Sequence, residues 1–117
     1  MHEKLNFRIK ISDTHARYNM FINVRNKEDY SFSNLYLFMQ MTFPDGRITR
    51  DTIECYLADY DGKWLGTGLT GTKFNRILFQ KAAVFPMKGD YLFTFEQAMR
   101  TKELKGITDI GIRLEKE

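Results

Sequence analysis

The chain has one cysteine, two histidines, two prolines and one tryptophan among its 117 residues. With Cys55 alone, no internal disulfide can close and no cysteine-based metal site is available. A lone cysteine between Glu54 and Tyr56 on an alternating strand reads as a small buried hydrophobe. His2 at the terminus and His15 in an early turn supply no base beside a serine, threonine or cysteine, so a nucleophilic triad is not read here. No apolar run approaches the ~18 residues of a membrane span, and no charged-then-apolar leader precedes Leu5. As given, the residues therefore read as soluble. Met1-His2-Glu3-Lys4 runs almost at once into a strand pattern, which implies a native leader removed ahead of it. Basic residues never reach a run of three, although 18 Lys and Arg face 15 Asp and Glu. Arg8, Lys10, Arg17, Arg25, Arg47 and Arg50 are scattered among acids, whereas nucleic-acid binders gather their cations on one face. Nucleic acid is not an expected partner.

Aromatic residues are abundant, with ten Phe and six Tyr beside the tryptophan, and aromatics favour strands. The clearest signal is Leu35-Tyr36-Leu37-Phe38-Met39-Gln40-Met41-Thr42-Phe43, in which Leu35, Leu37, Met39, Met41 and Phe43 project to one side of an extended strand. Pro44-Asp45-Gly46 then presets a turn. Leu5, Phe7, Ile9 and Ile11 give a first strand, and Asp13-Thr14-His15-Ala16 turns the chain into a second carrying Tyr18, Met20, Ile22 and Val24. These two are expected to pair antiparallel, with Asn26-Lys27-Glu28-Asp29 as the following loop. Ile53, Cys55 and Leu57 form the next apolar face, and Asp61-Gly62 makes a hairpin turn before a short strand at Lys63-Trp64-Leu65. Phe74 to Phe79, Tyr91 to Phe95 and Ile110 to Leu114 complete about eight candidates. Gln97 to Lys105 is rich in helix formers and ends at Gly106, which predicts a helical turn or two. The whole chain, residues 1–117, reads as one all-β domain, an antiparallel β-sandwich of jelly-roll type, with an immunoglobulin-like sandwich as the alternative.

Two motifs invite chemistry and are better explained by turns. Gly66-Thr67-Gly68-Leu69-Thr70-Gly71 spells G-x-G-x-x-G, but a dinucleotide loop needs a helix directly after it to meet the pyrophosphate. Lys73 to Phe79 carries no helix start. Asp59-Tyr60-Asp61-Gly62 resembles part of a calcium loop, yet Leu57 and Gly68 would stand where carboxylates are required. Scattered acids could meet as a glycosidase pair, but each flanks a turn or faces out of a strand. No catalytic residue, cofactor site or metal site is assigned, and a small hydrolase survives only because jelly rolls host enzymes. Trp64, Tyr36, Tyr56 and Tyr60 are the candidate binding residues, because exposed aromatics stack on sugar rings or anchor protein partners. Arg100 is expected to clamp the corner after the Phe95 strand by bonding carboxylates or backbone carbonyls.

Tyr30-Ser31-Phe32-Ser33-Asn34-Leu35-Tyr36-Leu37, Ala58-Asp59-Tyr60-Asp61-Gly62-Lys63-Trp64-Leu65-Gly66 and Gly89-Asp90-Tyr91 together resemble the gliding motility lipoprotein family GldH of the Bacteroidetes. The tail does too, in Gln97-Ala98-Met99-Arg100, Leu104-Lys105-Gly106-Ile107 and Asp109-Ile110-Gly111-Ile112-Arg113-Leu114-Glu115-Lys116. The resemblance runs from about Phe7 to the end. It implies a secreted protein held on a membrane by a lipidated N-terminal cysteine, acting in the cell envelope, with no catalytic residues to carry over. Thr52-Ile53-Glu54 ahead of Cys55 is no lipobox, so the anchor is expected on a segment outside this chain. The resulting expectation is a non-enzymatic envelope protein that binds other proteins, such as gliding or secretion machinery, and meets the membrane through its lipid alone. A carbohydrate-binding module built on Trp64 and the tyrosines is the alternative.

Overall fold

A computed structural model describes residues 4–68, 70–101 and 104–117. Seven strands carry the fold: β1 Leu5–Ile11, β2 Tyr18–Lys27, β3 Asn34–Thr42, β4 Ile48–Tyr56, β5 Thr72–Ala83, β6 Gly89–Gln97 and β7 Ile107–Lys116. They form an antiparallel sandwich of a four-stranded sheet ordered β1-β6-β3-β4 and a three-stranded sheet ordered β5-β2-β7. The chain crosses between sheets at every connection except the β3–β4 hairpin. Count the strands of a standard eight-stranded jelly roll from one to eight, and its sheets run two-seven-four-five and one-eight-three-six. β1 to β7 occupy places two to eight in that order, so the expected jelly roll is realised without its first strand among the described residues.

Three local expectations are corrected. β1 does not pair with β2: it lies against β6, from Leu5 opposite Phe95 to Ile11 opposite Gly89, while β2 pairs with β5 and β7. The Asp13 carboxylate accepts the amides of His15 and Ala16 at 2.9 and 3.1 Å, and this turn carries the chain to the other sheet. Lys63-Trp64-Leu65 is no full strand and makes a single bridge, Ala58 to Trp64. No helix forms over the described part of 97–105. Gln97 ties that corner instead, its amide donating to the Thr101 carbonyl at 2.8 Å while its carbonyl accepts the Met99 amide at 2.7 Å.

Alternation fills the core. Leu35 and Leu37 on β3, Ile22 and Val24 on β2, and Tyr91, Phe93 and Phe95 on β6 are fully buried, each large side chain contributing about 1.5–3 kcal/mol by leaving water. Edge-to-face contacts link Tyr18, Phe85 and Tyr91, and Phe43 leans on Tyr91 at 5.3 Å, closing the Pro44 end of the sandwich. The turn there follows its sequence: Gly46 adopts φ +91° and donates its amide to the Phe43 carbonyl. β2 runs on through Asn26, read from sequence as loop, and Asn26 is wholly buried.

Candidate functional site

The pleat sends odd-numbered residues of β3 and β4 into the core and even-numbered ones outward. Asn34 stands opposite Tyr56, Tyr36 opposite Glu54 and Phe38 opposite Thr52. The outer face of the four-stranded sheet therefore carries three exposed rings: Tyr36 at 38%, Phe38 at 50% and Tyr56 at 63% exposure. The Glu54 carboxylate sits among them. One oxygen accepts from the Asn34 amide at 2.9 Å and the other from the Tyr56 hydroxyl at 3.0 Å, and the Tyr36 phenol also reaches it. The Asn34 bond is the main cause that holds Glu54 below its usual carboxylate value, while both phenols are pushed up because they donate to that charge.

Phe38 forms part of a shallow groove of about 470 Å³, bordered by Lys4, Gln40, Arg50, Thr52 and Glu96. Its walls carry both signs of charge around an apolar floor. A second cleft of about 620 Å³ opens between the β4 and β5 edges over Met39, Met41, Phe43, Ile53 and Phe79. The β4 half from Ile48 to Thr52 stays exposed on both faces, which leaves that side of the sandwich open.

The four aromatics picked from sequence separate. Tyr36 and Tyr56 lie side by side on the outer sheet face, whereas Tyr60 projects fully into solvent from the Asp59–Gly62 turn. Trp64 is half-buried and packs against the core. Phe38 was missed, although an aromatic on the wet face of an alternating strand is a readable anomaly. Arg100 is exposed, and no hydrogen bond or ion pair of its guanidinium is found among the described residues; Gln97 holds that corner.

The two doubtful motifs resolve into backbone geometry. Asp59 Oδ1 accepts the amides of Asp61 and Lys63 at 3.0 and 2.9 Å, so this carboxylate organises a hairpin turn. The Gly66 loop pairs with β5 through Thr67 and Phe74, whose amides donate to each other's carbonyls at 2.9 and 2.8 Å. A Cβ on Gly66 would stand 2.7 Å from Asn75 Oδ1 and 2.8 Å from the Phe74 carbonyl. Close strand packing explains that glycine, and β5 follows the loop where a dinucleotide site needs a helix. Cys55 is fully buried in β4, and burial pushes its thiol up to about 12.

Comparison with known proteins places the chain. It matches the GldH lipoprotein family over residues 1–114. The chain belongs to the GldH lipoprotein family. It is 37% identical to a gliding motility lipoprotein GldH homolog of Christiangramia forsetii, across 96% of this chain and 74% of that protein. It is 33% identical to the gliding motility lipoprotein GldH of Flavobacterium johnsoniae, across 95% of this chain and 73% of the relative. No solved structure matches the chain. In this GldH family member the thiol of Cys55 is buried, and Tyr36, Phe38 and Tyr56 are exposed on β3 and β4.

Proposed function

We propose that this protein is a lipid-anchored lipoprotein of the cell envelope that serves gliding motility by binding other proteins, without catalysis, through the outer face of its four-stranded sheet. Family membership and the relatives' names support the lipoprotein and motility part. The observation that carries the binding part is the trio Tyr36, Phe38 and Tyr56, exposed together on rigid strands with Glu54 fixed between them. Aromatic side chains on a preordered backbone lose little entropy on docking and are favoured as interface anchors. Cys55, the one strong nucleophile by type, is buried and protonated, which also supports a role in recognition. A lipidated cysteine on a preceding segment would hold the sandwich at the membrane, each buried methylene adding about 0.8 kcal/mol.

The test uses the protein in its own membrane. A photocrosslinking residue at Phe38 should capture a protein, whereas one at Arg113 on the opposite sheet should not. Tyr36→Ala with Tyr56→Ala should abolish capture from position 38 and impair spreading while changing the unfolding free energy by no more than about 1 kcal/mol, as surface changes usually do. Equal capture from both positions would overturn the proposal, as would retention of envelope polysaccharide in place of protein.

A further inference from the structure

The open side of the sandwich next to β1 points to a missing structural partner. β4 and β5 line one cleft together, so their edges lie on the same flank. β1 and β7 must then form the opposite flank, and because one sheet has four strands and the other three, no strand among the described residues faces β1. Its inward side chains show this. Leu5, Phe7 and Ile9 alternate toward the core yet are only half-buried, and Ile112 and Leu114 on β7 are half-buried as well. Among the described residues β7 pairs with β2 alone, which leaves the other edge of its 10 residues without a strand partner there. An open strand edge beside half-covered apolar residues is a template for one more strand.

We propose that a segment upstream of this chain in the lipid-anchored protein forms an eighth strand, antiparallel to β7, that takes the vacant first place of the jelly roll and covers Leu5, Phe7 and Ile9. Chain direction agrees. β1 begins opposite Phe95, β6 ends at Gln97 and β7 begins at Ile107 opposite Asn26, so Leu5 and Ile107 lie at the same end of the sandwich. A strand running antiparallel to β7 ends beside Ile107, one short crossing from Leu5. About a quarter of each relative's own length lies outside the matched region, which is more than one strand needs. Such a strand starts near Lys116, which puts the lipid at the Pro44 end and turns the Tyr36 and Tyr56 end away from the membrane. The source of the strand rests on the lipoprotein reading; the vacancy in the sheet does not.

Hydrogen exchange on the full-length protein, solubilised from its own membrane, tests this. Amides of 107–116 and of a strand-length upstream segment should exchange about a hundredfold more slowly than those of the exposed β4 edge. With Arg113→Cys in place and a mild oxidant added, single cysteines scanned along the upstream segment should form a disulfide at the one position that stands opposite 113 and not at its sequence neighbours. Upstream residues that exchange within seconds, protection of β5 in place of β7, or protection that appears only with another protein bound would each overturn the proposal. Intact mass reports the lipid separately. A protected β7 without acyl chains would defeat the anchoring reading and keep the strand, and acyl chains with a free β7 edge would do the reverse.

Discussion

Asn75 on β5 donates its side-chain amide to Asn26 Oδ1 on β2 at 2.8 Å, inside the core, where Asn26 is fully buried. Asn75 also donates to the Val24 carbonyl at 3.1 Å, and Asn26 returns a bond to the Lys27 carbonyl at 3.2 Å. The pair thus fixes the register of the two strands with polar atoms that have no access to water. Asn75→Ala should cost about 1–3 kcal/mol, because it leaves Asn26 Oδ1 buried without a donor. Asn26→Ala with Asn75→Ala should cost less than the two single changes added, and urea unfolding of all four proteins measures the difference. Additivity within about 0.5 kcal/mol would show that the two side chains act independently.

Gly106 separates two demands that glycine can meet. Its φ is +102°, and a Cβ there would lie 2.8 Å from the Tyr30 Cα, while its carbonyl accepts the Lys27 amide at 2.7 Å. Gly46 has φ +91° with open space around it. Gly46→Ala should therefore cost only the left-handed backbone penalty, about 1–2 kcal/mol. Gly106→Ala should cost more, on the order of 3 kcal/mol, because the Tyr30 backbone must also shift. Equal unfolding midpoints for the two variants would refute the close approach.

Cys55 should behave as a core residue. Burial is the main cause that raises its thiol from 9.0 to about 12, with the Glu54 charge second. A raised folded value contributes stability that is present below pH 9 and is lost as pH climbs from there toward 12. A thiol reagent at pH 8 should label the native protein only as fast as it unfolds, and the denatured protein at once. Cys55→Ser should cost about 1–3 kcal/mol by burying a hydroxyl without a partner.

Much of this architecture was readable as period-two alternation. Leu35 to Phe43 and Tyr91 to Phe95 announced strands because one of their faces is buried along most of its length, and the Pro44 and Asp61 turns carry their own torsional signals. Pairing was less legible. The Asp13 turn looks like a hairpin in sequence, and only the competition between sheets sends β1 to β6. The helix expected at 97–105 does not form over the described residues of that span, where Gln97 spends both ends of its side chain on nearby backbone, which competes with helical bonding. Asn26 and Asn75 read as ordinary polar residues, since nothing local reveals that each will find the other. The face proposed for binding was half visible: Tyr36 and Tyr56 stood out in the sequence, and Phe38 was overlooked although it shares their side of the strand.

The Glu54 cluster makes the proposed binding surface sensitive to pH. Its Asn34 bond, then those of Tyr56 and Tyr36, hold the carboxyl below 4.5. Stability from this group is accordingly full above pH 4.5 and is lost as pH falls through the lowered folded value. Carboxyl titration by NMR should show Asn34→Ala returning Glu54 toward 4.5 more than Tyr56→Phe does, since Asn34 contributes most. The phenols shift in the opposite sense, because ionising either one places a second negative charge beside Glu54. Glu54→Gln should bring Tyr36 and Tyr56 back toward 10, visible in the ultraviolet titration of tyrosine. If the sheet face docks a partner, capture from Phe38 should weaken in acid in the intact protein and lose that pH dependence in Glu54→Gln, because the carboxylate is what holds the rings beside the groove in register. Phenol titrations that do not move in Glu54→Gln would show that the three side chains are neighbours without being coupled.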